Sequence, residues 1–86
     1  MNEKELLYRI TIDPKIMVGK PTIRGLRITV DQILKALAAG ISTDELLEDY
    51  PELEKEDIEA TLLYAAELVE EEKIYKIGVW ACPLMV

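Results

Sequence analysis

One helix-start pattern occurs three times between residues 28 and 58, and it constrains the fold of this chain more than any other feature. Thr29 and Gln32 stand as a capping box, in which the hydroxyl accepts the N3 amide and the Gln side chain reaches back to the cap amide. Ile28 and Ile33 flank the box at the two positions of a hydrophobic staple. Ser42 with Glu45, and Ile41 with Leu46, repeat both devices. Leu53 and Ile58 make a third staple around Glu54, a poorer cap than Ser, Thr, Asp or Asn. Gly40 suits a left-handed C′ position, and Pro51 cannot continue a helix. The pattern predicts helices over Val30–Ala39, Thr43–Asp49 and Lys55–Glu72.

The first of these helices places Val30, Ile33, Leu34, Leu37 and Ala38 on one face, and the second turns Leu46, Leu47 and Tyr50 inward. The third carries a core stripe of Ile58, Thr61, Leu62, Ala65 and Val69. Leu63, Tyr64 and Leu68 lie off that stripe and are candidates for a partner or dimer face. Before the helices, Arg9–Asp13 alternates with period two and reads as a short strand that ends at Asp13-Pro14. Ile23–Ile28 is a second extended segment, interrupted at Gly25 by a bulge or tight bend. The 86 residues therefore form one domain: a strand and extended arm over 8–30, a three-helix bundle over 30–72, and a tail over 73–86. With no Phe and one Trp, the core must be aliphatic.

Ten of the thirteen residues from Ile74 to Val86 are apolar. Ile74–Ala81 reads as a strand ended by Pro83, and such a segment left bare is an aggregation hazard. It must cover its own core, a dimer mate or another protein. Tyr75, Ile77, Trp80, Leu84 and Met85 join Leu63, Tyr64 and Leu68 as the candidate partner or dimer interface, so a homodimer is expected.

Charge divides the chain. Residues 1–35 carry seven cations against four anions, whereas residues 36–86 carry three against thirteen. An acidic half repels a phosphate backbone and attracts basic partners. The candidate nucleic-acid contacts are Lys15, Lys20, Arg24, Arg27 and Lys35, because both potential recognition helices open on acids (Asp44, Glu45; Glu54, Glu56, Asp57). There is no histidine, no glycine-rich phosphate loop, and a single cysteine, Cys82. The expectation is a binding protein and not an enzyme, with no metal or cofactor. The lone cysteine and the lack of a leader or spanning segment point to the cytoplasm.

Gly19-Lys-Pro-Thr-Ile-Arg-Gly25, Arg27-Ile-Thr-Val30, Ala39-Gly40-Ile41-Ser42, Asp49-Tyr50-Pro51-Glu52-Leu53 and Glu56-Asp57-Ile58 occur in order. This set resembles the DUF433 family over about residues 8–72. The resemblance implies a mainly α, homeodomain-like helix-turn-helix bundle after an N-terminal extended segment. It also implies a VapB-type antitoxin role beside a PIN-like nuclease toxin. Leu26 departs from the Thr usual in the family's Gly-Thr-Arg core, and Glu54-Lys55 replaces the common Ser/Thr-Pro.

Three functions are therefore expected to compete. The first is an antitoxin that neutralises a PIN-like ribonuclease and represses its own operon. The second is a DNA-binding regulator with no toxin partner, and the third a homodimeric interaction module.

Overall fold

A computed structural model describes residues 1–72. Helix α1 (Glu3–Leu7) leads into strand β1 (Ile10–Thr11), which pairs antiparallel with β2 (Thr22–Ile23) in the register Ile10 to Ile23 and Thr11 to Thr22. Helices α2 (Val30–Ala38), α3 (Thr43–Asp49) and α4 (Lys55–Glu72) follow. The mainly helical architecture and the helix limits agree with the sequence reading. The tail strand over Ile74–Ala81 lies outside the described residues.

The caps form as the spacing requires. Thr29 Oγ1 accepts from the Gln32 amide at 3.3 Å while Gln32 Oε1 accepts from the Thr29 amide at 2.9 Å. Ser42 and Glu45 exchange the same two bonds, each at 3.2 Å. Helix α2 closes in a Schellman motif: Gly40, at φ +93°, donates to Leu37 O, and Ile41 donates to Ala36 O. All three staples deliver their residues to one aliphatic core of Ile23, Ile28, Val30, Ile33, Leu46, Leu53 and Ile58, with Ile41 packed against it.

Four expectations need correction. Residues 3–7 form α1, which the sequence reading passed over; Asn2 Oδ1 caps it by accepting from the Glu5 amide at 2.8 Å. The tight bend expected at Gly25 is present, but it reverses the chain, so Ile23–Ile28 is not an extended segment with a local interruption. The segment folds back on itself, with Ile23 donating to Ile28 O and Leu26 donating to Ile23 O around a turn in which Arg24 and Gly25 both have positive φ. Two positive φ values define a primed type I turn, whose twist suits a hairpin. Ala38 faces solvent, and Ala36 packs against the core instead.

The fourth correction concerns α4. Leu62 and Val69, assigned to the core stripe, are 50% and 56% exposed. The buried arc instead runs through Asp57, Ile58, Ala60 and Thr61 and onward to Tyr64. Thr61 is buried as the stripe requires, but Asp57, a carboxylate, occupies a buried position that a hydropathy pattern assigns to water. The helix is consequently rotated relative to its apolar stripe, because α1 and β1 pack on the Asp57 side.

Candidate functional site

The rotation of α4 has a chemical cause. Asp57 is fully buried and collects donors from three parts of the chain. Arg9, just before β1, donates from Nη1 to Asp57 Oδ1 at 2.9 Å and to Glu54 Oε1 at 2.7 Å. Arg24, in the hairpin turn, donates from Nε to Oδ1 at 3.1 Å and from Nη2 to Oδ2 at 2.9 Å. Its Nη2 also reaches Glu52 O at 2.6 Å. The Glu54 amide donates to Asp57 Oδ2 at 2.8 Å, which is the backward half of a capping box without a Ser or Thr at its head.

Two guanidinium groups and two carboxylates form a neutral cluster. Burial pushes the Asp57 pKa up, but hydrogen bonds from Arg24, the Glu54 amide and Arg9 outweigh it and hold the group below its ordinary value. Both arginines are shifted upward, Arg9 chiefly by its bond to Glu54 and then Asp57, Arg24 chiefly by Asp57. Every buried side-chain nitrogen and oxygen among the described residues has a partner. The cluster fastens the N-terminal arm to α4.

The five candidate nucleic-acid contacts fall into three groups. Arg24 is held against Asp57, with about a third of its side chain in water. Lys15, Lys20 and Arg27 line one open depression together with Pro14, Met17 and Val18. Lys20 also lies 3.8 Å from Asp31, an exposed and loose pairing. Lys35 is exposed in the last turn of α2 and does not line that depression. Beside the cations the backbone is strained: Met17 and Val18 adopt φ of +51° and +57°, and Val18 is 93% exposed. A β-branched residue at positive φ is a genuine outlier.

Of the candidate interface residues, Leu63 and Tyr64 are half-buried, with Tyr64 packed against the core, and Leu68 is 45% exposed. Tyr75, Ile77, Trp80, Leu84 and Met85 lie outside the described residues, as does Cys82. Leu62 and Val69 are seven residues apart on the solvent side of α4, with exposed Ala66 between them and exposed Glu59 and Glu70 nearby. On the other side, Leu7, Ile10, Ile12, Tyr64, Glu67 and Leu68 line a second, mainly apolar groove. The sequence reading missed Arg9, Asp57 and this groove. Its available signal was an Asp at N3 of a helix lacking a good cap.

These features define a small helical protein whose N-terminal hairpin is locked to α4 by an ion cluster built around the buried Asp57, leaving an acidic and apolar helix face in solvent. The chain belongs to the DUF433 family, described as a protein of unknown function, whose profile matches residues 10–65 and so includes Arg24 and Asp57. It is 38% identical over 56 residues to the uncharacterized protein y4eO of Sinorhizobium fredii (strain NBRC 101917 / NGR234). That match covers 65% of this chain and 25% of y4eO, so the chain spans about a quarter of that relative's length. No solved structure matches the chain. No helix among the described residues is long and apolar enough to cross a membrane.

Proposed function

We propose that this chain is an antitoxin-like protein that binds a basic protein partner of the PIN-like ribonuclease class through the outer face of α4. The observation that carries this reading is the exposure of Leu62 and Val69 beside Glu59 and Glu70. An apolar stripe edged by acids suits a partner with an apolar patch inside a basic, RNA-binding rim. In the homeodomain-like arrangement of α2, α3 and α4 that forms part of this proposal, the third helix would be the DNA reader. Its outer face instead presents Glu59, Leu62, Ala66 and Val69, which offer no donors to base edges or phosphates.

The test is co-expression with the product of the adjacent gene. The expected result is a stable complex with suppressed ribonuclease activity, weakened about tenfold or more by Leu62→Glu or Val69→Glu. No complex and undiminished ribonuclease activity would overturn the proposal.

A second reading, operator DNA binding with or without a toxin, is favoured by the convergence of Lys15, Lys20 and Arg27 on one depression. It calls for affinity for upstream DNA that falls steeply with salt and is lowered by Arg27→Ala. Absence of binding at low salt removes this reading.

A further inference from the structure

Met17, Val18 and Gly19 form a run of left-handed backbone, at φ of +51°, +57° and +78°. Only the glycine suits that conformation, and a β-branched residue there is strained. Two backbone bonds close the turn: Gly19 donates to Ile16 O at 3.1 Å and Lys20 to Met17 O at 3.2 Å. Val18 is thereby held out on a fixed tip, with Lys15, Lys20 and Arg27 lining the depression beside it. Among the described residues no acid lines that depression, and Asp31 meets Lys20 only at 3.8 Å. Strain of this kind collects where a chain holds a ligand.

The helices are poorly suited to DNA. α3 carries Asp44 and Glu45 in its first turn, and α4 follows Lys55 with Glu56 and Glu59, so both meet like charge in a major groove. The minor groove is about 6 Å wide, too narrow for a helix about 10 Å across but open to a turn. Proteins that enter it combine cations with apolar wedges placed against base steps.

We infer that the Met17–Val18 tip is a minor-groove reader, with Val18 against a base step and Lys15, Lys20 and Arg27 on the flanking phosphates. This rests on the second reading above, that the chain binds DNA, and adds the groove and the class of sequence. That class is A·T-rich duplex, whose narrow minor groove concentrates negative potential and lacks the guanine amino group.

Inosine separates the two grooves. An I·C pair presents the major-groove edge of G·C but lacks the amino group that G·C places in the minor groove. Binding of the full chain to matched A·T, G·C and I·C duplexes at low salt should therefore group I·C with A·T, both about tenfold tighter than G·C. Val18→Gly and Val18→Asn both suit positive φ at an exposed position, so the fold tolerates them; thermal unfolding verifies this. Each should weaken A·T binding about fivefold, towards that of G·C. Lys35→Ala, outside the depression, should leave the preference for A·T unchanged. Affinity for I·C that follows G·C would place another element in the major groove, overturning the inference while DNA binding stands. Equal affinity for all three duplexes, or Val18 variants that bind as the unaltered chain does, overturns it in the same way. No binding to any duplex at low salt overturns the second reading and this inference together.

Discussion

Arg24 grips Asp57 through two nitrogens, Nε at 3.1 Å and Nη2 at 2.9 Å, from a backbone turned to φ +47°. A non-glycine residue in that conformation costs roughly 1–2 kcal/mol, and such strain persists where the surroundings over-determine it. Here the over-determination is visible: the same guanidinium holds a buried carboxylate and the Glu52 carbonyl. The arginine that the charge map offers as a surface contact is a strut.

Removing the carboxylate leaves Arg9 with Glu54 alone and Arg24 with only the Glu52 carbonyl. Asp57→Ala should cost about 2–3 kcal/mol, less than the roughly 3–5 kcal/mol for stranding a fully buried charge, because Arg9 and Arg24 are partly hydrated and keep other partners. Equilibrium urea unfolding measures it, and a loss below 1 kcal/mol would show that Arg9 and Arg24 simply turn to water.

The cluster also sets an acid limit. The folded pKa of Asp57 lies below its unfolded value of about 3.9, so its stabilisation is complete above that value. It is lost as pH falls through the folded pKa. Urea midpoints should be flat near neutrality on this account and drop below about pH 4, with a shallower drop in Asp57→Asn.

Charge alone does not make the clasp. Arg24→Lys keeps the cation but loses the forked geometry and the second hydrogen bond. A destabilisation of about 1 kcal/mol is expected, moderated because part of the side chain is hydrated. Equal stability of the two proteins would mean that the fork contributes nothing.

The strain at Val18 has no such compensation among its described contacts, since the side chain is 93% exposed. Val18→Gly should raise stability by about 0.5–1 kcal/mol, relief of the left-handed backbone exceeding the added freedom of the unfolded chain. If thermal unfolding shows the variant to be weaker, the valine side chain has a stabilising contact.

Helix ends were legible because caps are local: Thr29–Gln32 and Ser42–Glu45 lie within one turn, and the sequence carries the whole interaction. The phase of α4 was not. Its buried face depends on Arg9, 48 residues before Asp57 in sequence, and no periodicity rule anticipates a charge that is buried because distant charges meet it. Helix α1 escaped for a milder reason, as a helix of five residues is marginal alone and owes its place to packing on α4. The candidate cations divide along the same line. Lys15, Lys20 and Arg27 gather where a compact arm puts neighbours together, whereas Arg24 went to the one acid that burial left in need of it.

The clasp also orders events during synthesis. Arg9 and Arg24 are made before Asp57, and at 5–20 residues per second the first waits about 2–10 s for its anion. A nascent chain ending before residue 57 has no carboxylate to seat between them, so its hairpin and α1 have nothing to close upon. The domain is thereby built to fold after translation has passed the start of α4, and a stalled fragment should stay open to proteases.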